Sequence, residues 1–302
     1  MNGNNLPLVS VIINCYNSDR YLKETLDSVL SQSYKNWEII FWDNQSIDKS
    51  AQYFNNYNDS RFKYFYAPEH TSLSTARNLA AFKAEGSFLA FLDCDDVWLP
   101  EKLSIQINSA LNDDIGFVYS KFELLLSSDH ISAKVQASQY LKLNDLCQPH
   151  ESKDLYKILL LGNYIIFSSV LIKKQTFDKV GGFKNNLSQN EDYELLLKAS
   201  LISKACCVDY IGVKYRIHQS NNSHLNAEKN FVENKIIFSS LPESRDVFLA
   251  QKRDQIKYGL FKIFVIKNLI GVKDLLSPYT PRFIIEILLK RIRNKVRENV
   301  QQ

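Results

Sequence analysis

Short apolar runs alternate with amphipathic stretches along the first 120 residues. Leu8-Val9-Ser10-Val11-Ile12-Ile13 is rich in β-branched residues and too continuously apolar to face water on one side, which predicts a buried strand. Asn14-Cys15-Tyr16-Asn17 is its exit loop. From Ser18 to Ser33, Leu22, Leu26, Val29 and Leu30 recur at helical spacing, with Asn17 or Ser18 as cap. Trp37 to Trp42 predicts a second strand ending at Asp43-Asn44-Gln45-Ser46. A helix over Asp48 to about Tyr57, a strand over Phe62 to Tyr66 and a helix from Ser74 to Glu85 follow, the last stopped by Gly86. Phe88 to Leu92 is the strand that runs into Asp93. Beyond it, Pro100 opens a helix reaching about Leu111, and Gly116 to Tyr119 reads as a strand. Ser127 to Ser152 is a polar, irregular excursion. Leu155 to Leu161 predicts a helix, Ile165 to Ile172 a strand, and Gly181-Gly182 a turn that uses glycine's backbone freedom. The spacing then predicts a helix over Tyr193 to Ala199, a strand near Ala205 to Asp209, and a last strand-like segment over Gly212 to His218. Alternation of this kind implies an α/β fold with a mainly parallel sheet and helices on both faces.

Ligands of such sheets sit beyond the carboxyl ends of the strands. Asn14 and Tyr16, Asp43, and Asp93 with Asp95 end the first, second and fourth strands, so these groups are expected to converge on one edge. The run Asp93-Cys94-Asp95-Asp96 repels itself unless something positive sits among the carboxylates. Asp93 and Asp95, two apart, point to the same side of an extended segment. Hard oxygen ligands there suit Mg²⁺ or Mn²⁺, which usually also holds substrate phosphates; acids capping the next helix are the plainer alternative. None of the 9 glycines lies between Asn4 and Glu85, so neither a GxGxxG turn nor a GxxxxGK loop exists there. A hydride-transfer cofactor on a glycine-rich turn and a P-loop are thereby excluded, and a diphosphate at this edge calls for a metal on the aspartates. A second acidic pair, Glu191-Asp192, precedes the Tyr193 helix, where the helix dipole alone would favour acids.

At 302 residues, 45% hydrophobic and 23% charged, the chain has the length for one large domain with an appendage and an ordinary globular composition. Its 5 cysteines are odd in number and form no CxxC pair, which argues against a disulfide framework or a cysteine zinc site and for a reducing cytosol. The first residues show no signal segment. The longest nearly apolar run, Ile158 to Ile172, is broken by Gly162-Asn163 and falls short of the roughly 20 residues of a spanning helix. Net charge is +4, and Arg282, Lys290, Arg291, Arg293, Lys295 and Arg297, against Glu286 and Glu298, account for all of it. A broad nucleic-acid face is not indicated.

Taken in order, these segments resemble a family 2 glycosyltransferase of the GT-A fold. The family's opening is similar to Val9 to Asn17, and its second-strand motif to Asp43-Asn44-Gln45-Ser46-Ile47-Asp48. Ala76-Arg77-Asn78 resembles its Ala-Arg-Asn element. Asp93-Cys94-Asp95 resembles its metal-binding motif, followed by the Asp-Asp-x-Trp-x-Pro pattern at Asp95 to Pro100. Gly181-Gly182-Phe183 and Asn190-Glu191-Asp192 resemble acceptor-side motifs, and Tyr215-Arg216-Ile217-His218 a late one. Asn14 stands where proline or threonine is commoner, and Asn44-Gln45 where Asp-Gly is commoner. The resemblance covers about Leu8 to His218 and implies a catalytic domain over residues 1–224, with a donor half at about 6–120 and an acceptor half at about 150–220. It implies inverting transfer of a sugar from a nucleoside-diphosphate donor, with uridine the expected base, to a hydroxyl of a glycan or lipid-linked glycan. Asp192 is the implied general base, with Glu191 orienting it. Asn14, Tyr16, Asp43, Arg77 and Asp93 are the implied donor contacts. Asp93, Asp95 and His218 are the implied ligands of a divalent metal, Mn²⁺ or Mg²⁺. A non-catalytic nucleotide-sugar or glycan-binding protein of the same fold is the alternative. A pyrophosphorylase would need the glycine-rich loop that is missing.

Residues 225–302 lie outside the resemblance and are expected to form a helical extension, with helices over Tyr258 to Val272 and Arg282 to Val296. Ile285, Leu288, Leu289, Ile292 and Val296 make one stripe with basic residues on the other faces. Two readings stand: a helix docked on the protein's own core, and an interfacial helix of residues 281–302 on the anionic inner leaflet. The expected location is cytoplasmic, with peripheral membrane contact under the second reading.

Overall fold

The computed structural model describes residues 6–126, 152–218 and 227–241. The predicted helices over 258–272 and 282–296 and the excursion at 127–151 lie outside them. The chain divides after Ser220, and each part is described by itself. In the first part, β1 (Val9–Cys15), α1 (Asp19–Leu30), β2 (Trp37–Asp43), α2 (Ser50–Asn55), β3 (Phe62–Tyr66), α3 (Leu73–Phe82) and β4 (Phe88–Phe91) follow the expected rhythm. Then come β5 (Val97–Trp98), α4 (Lys102–Ala110), β6 (Ile115–Leu126), α5 (Ser152–Leu161), β7 (Leu171–Lys173), α6 (Lys174–Val180), α7 (Glu191–Ile202) and β8 (Lys204–Ile217). In the second part α8 (Ala227–Ser240) buries Ile237 and Phe238.

The strands form one mixed sheet in the order β3-β2-β1-β4-β7-β6-β8-β5. β1 pairs in parallel with β2 and β4, β2 with β3, and β6 with β8, while β7 runs antiparallel to β4 and β6. Every residue of β2 is buried, so both faces of the sheet are covered there, which the unbroken apolar run required. Leu22, Leu26 and Val29 of α1 fill the core with Trp37, Phe41 and Phe54, whose rings include a stacked Phe41–Phe54 pair at 4.3 Å.

Besides α6, a helix that was not expected, three elements depart from expectation. The strand expected over 165–172 is instead a 3-10 turn, Phe167–Ser169, followed by the short β7. Ser168 explains the break: its hydroxyl accepts from Asp93 N at 3.2 Å and donates to Asp96 Oδ2 at 2.6 Å, and its carbonyl accepts from Trp98 Nε1 at 2.8 Å, contacts that lie outside any ladder. The two segments expected after Ala205 are one strand, β8. Its register against β6 jumps from Val208 opposite Ser120 to Val213 opposite Phe122, so the polar and glycine residues between them are taken up as bulges. Gly212 sits where a side chain would not fit, since a Cβ would come within 2.4 Å of Ser120 Oγ. β5 has only two residues, too few to carry a period, and lies antiparallel to β8 at the sheet's edge.

Candidate active site

The acidic run leaves β4 and is fastened by polar side chains on the buried face of α1 and just past its C-terminal end. Thr25 Oγ1 donates to the carbonyls of Cys94 and Asp96, both at 2.9 Å. Ser28 Oγ accepts from Trp98 N at 3.1 Å, and Gln32 Nε2 donates to Leu99 O at 2.9 Å. Thr25 and Ser28 lie three apart on one face of α1 and Gln32 follows just past the helix end, so together they reach along the loop. None was singled out from the sequence, because polar residues in an amphipathic helix read as its outer face.

The three acids of the run have different surroundings. Asp96 is 1% exposed; its Oδ1 accepts from Arg216 N at 2.9 Å and its Oδ2 from Ser168. Burial, with the charges of Asp95 and Asp93, pushes its carboxyl well above the usual range. It ties the loop to β8. Arg216 also donates from Nε to Asp95 O at 2.7 Å and from Nη2 to Glu24 Oε2 at 2.5 Å, and its guanidinium lies 4.2 Å from the Tyr21 ring centroid. Asp96 and Arg216 were not assigned roles from the sequence; their places beside Asp95 and His218 in two of the motifs were the available signal.

Asp95 points the other way, with Oδ2 at 2.8 Å from His218 Nε2. Asp93 is held instead by Arg77, whose Nη2 donates to its Oδ1 at 2.7 Å. Among the described residues no group of three or more His, Cys, Asp or Glu side chains is gathered as a metal cage. The Asp95–His218 pair nonetheless fits one edge of an ion's coordination shell, since neighbouring ligands of an octahedral ion with bonds near 2.1 Å lie about 3 Å apart. An oxygen and an imidazole on one side, with phosphate oxygens on the other, is a donor set that Mn²⁺ or Mg²⁺ accepts.

Across from the run stands the first turn of α7. Arg77, on α3, donates from Nη1 to Glu191 Oε1 at 2.7 Å, so one guanidinium joins Asp93 and Glu191. Burial works against its charge, but Asp93 and Glu191 outweigh that and raise its pKa. Asp192, partly buried, accepts from Tyr193 N at 2.6 Å through Oδ1. Burial and the neighbouring Glu191 charge push its carboxyl up to about 7, against the opposing pull of Arg77. A carboxyl at that value can exchange a proton near neutral pH.

The second set of predicted contacts lies where β1 and β2 end. Tyr16 is 52% exposed, and its ring centroid is 4.3 Å from that of His70. His70 Nδ1 lies 2.9 Å from Asn44 O, and this histidine was not found from the sequence. Asn14 is partly buried, and its Nδ2 has no hydrogen-bond partner among the described residues. Asp43 is fully buried; Oδ1 accepts from Ser46 N and Oδ2 from Tyr64 OH, both at 2.7 Å, so it anchors the loop after β2. In that loop Gln45 has φ +69°, the left-handed conformation that makes glycine common there. Its Nε2 donates to Pro68 O at 3.0 Å.

The model for glycosyl transferase family 2 matches residues 10–158. The chain is 31% identical over 271 residues to the UDP-Glc:alpha-D-GlcNAc-diphosphoundecaprenol beta-1,3-glucosyltransferase WfgD of Escherichia coli, covering 88% of this chain and 94% of that protein. Among solved structures it is similar to S. aureus TarS 1-349 in complex with UDP, with a TM-score of 0.60 and 20% identity over 89% of this chain and 75% of that one. It is also similar to the mannosyltransferase PcManGT of Pyrobaculum calidifontis in complex with GDP-Man and Mn2+, with a TM-score of 0.58 and 15% identity over 85% of this chain and 70% of that one. The structural matches give the GT-A fold, and with the likeness to WfgD over nearly its whole length the chain belongs to glycosyltransferase family 2.

Proposed function

We propose that this glycosyltransferase moves a sugar from a uridine-diphosphate donor to a hydroxyl of a lipid-linked glycan, with inversion, during assembly of a surface polysaccharide. The observation that carries the reading is a carboxyl poised near neutrality, Asp192, beside the Arg77-bridged Glu191 and Asp93. The name of WfgD supports the donor and the acceptor class. In this reading Tyr16, with His70 behind it, lies against the base, and Asn14 and Asp93 face the ribose and diphosphate. Asp95 and His218, with Asp93 nearby, hold a divalent cation, which would supply electrostatic stabilisation of the departing diphosphate. Asp192 takes the proton of the acceptor hydroxyl as that oxygen attacks the anomeric carbon from the face opposite the diphosphate. Glu191, fixed by Arg77, keeps the first turn of α7 in place.

The test is a panel of nucleotide sugars, UDP-Glc first, with a synthetic lipid-diphosphate sugar acceptor and Mn²⁺, and the product's anomeric configuration read by NMR. Wild type is expected to transfer. Asp192→Asn is expected to bind nucleotide as before and to lose about 10²–10⁴-fold in transfer. An active Asp192→Asn protein would remove Asp192 from the mechanism, and transfer persisting in chelator would remove the metal.

A further inference from the structure

Arg77 is not disposed like a ligand of a substrate. It is 5% exposed, two of its nitrogens are engaged by carboxylates, and Phe167 and Phe183 lie against it with ring centroids 5.0 and 5.6 Å from the guanidinium carbon. The helix that carries it is docked along the same far segment. Ser74 Oγ donates to Leu187 O at 2.8 Å, and the Asn78 amide both accepts from Phe183 N at 2.9 Å and donates to Phe183 O at 2.7 Å. The planar guanidinium therefore spans from the acid that ends β4 to the first turn of α7.

We infer that Arg77 is a positioning residue that sets the separation between donor-side Asp93 and the turn bearing the base Asp192, and is not a donor ligand; this rests on the transferase reading above. In-line displacement tolerates little error, since a 1 Å misplacement of a reacting group costs on the order of 10²-fold in rate. A rigid fork fixes the separation of two carboxylates, whereas a lysine ammonium is a point charge on a flexible stem and holds one of them at a time. Removing Arg77 leaves Glu191 buried beside other acids without this partner, so Arg77→Lys and the neutral pair Arg77→Gln/Glu191→Gln are the variants to make.

Each variant is measured for turnover at saturating donor, for affinity toward UDP with Mn²⁺ by calorimetry, and for thermal stability. The expected result is a kcat lower by about 100-fold, with UDP affinity within about threefold and melting temperature within a few degrees of wild type. Should Arg77→Lys fail to fold, the neutral pair supplies the same readings. UDP affinity weakened tenfold or more in a folded variant would make Arg77 a donor ligand and overturn the inference. Unchanged kcat in both would show the bridge to be idle. A wild type that turns over no nucleotide sugar would refute the transferase reading and this inference with it; active wild type with active variants refutes the bridge alone.

Discussion

A carboxyl held near 7 makes Asp192 the residue whose chemistry is most exposed to pH. In the proposed role of base it would act only when deprotonated, so turnover should rise with pH through about 7 and level off above it, as a pH–rate profile would show. Its effect on stability runs the other way. The folded chain holds this proton more tightly than the unfolded one, so the stability it contributes at low pH is lost as pH rises through about 7. Asp192→Asn should therefore raise the melting temperature of the metal-free protein at pH 8, by on the order of 1 kcal/mol of stability, and leave it nearly unchanged at pH 4. Asp192 could be picked out because it sits in a recognisable local pattern. Thr25 and Ser168 could not, since their partners lie far off in sequence and a polar side chain on an amphipathic helix, such as Thr25, looks like surface. Thr25→Val keeps the shape of the side chain and leaves the Cys94 and Asp96 carbonyls without that donor. It should cost about 1–3 kcal/mol in urea unfolding and weaken UDP binding.

Among the elements, periodicity located the helices and the parallel strands but missed what side chains do to the backbone between them. Ser168 pulls residues 167–169 out of the sheet, and the bulges of β8 carry a strand through residues that look like a break. The Ala-Arg-Asn and Gly-Gly-Phe segments read as separate motifs in the chain, yet they meet through Asn78 and Phe183. Gly182 makes that meeting possible. Its φ is +65°, and a Cβ there would come within 2.7 Å of Asn78 Oδ1. Gly182→Ala should cost about 1–3 kcal/mol in urea unfolding and lower turnover more than donor affinity, because it disturbs the segment leading to α7. A Gly182→Ala protein as stable as wild type would mean that this junction yields without cost.

Across the molecule, charge and topology separate the parts. The apolar stripe of residues 281–302, with its basic flanks, lies outside the described residues, and membrane attachment through it is a proposal resting on sequence. No described helix is long and apolar enough to cross a membrane. The full chain should float with vesicles containing anionic lipid while residues 1–280 should not; equal failure to float would leave the stripe no membrane role. The first four strands were legible in order because each follows the last through one helix. The contacts that complete the site were not, because they join residues far apart: Arg77 with Glu191 across 114 positions, Asp96 with Arg216 across 120, and Asp95 with His218 across 123. That separation has a consequence for the protein's synthesis. Loop closure over such lengths must be met before the contacts reward it, so a nascent chain can pair β1 to β4 while β8 is still unmade. Asp93 then already has Arg77, but Asp95 and Asp96 wait for His218 and Arg216, which emerge more than a hundred residues later. A ribosome stalled between the two would display a folded half-sheet with the strand edge of β4 open to unintended pairing.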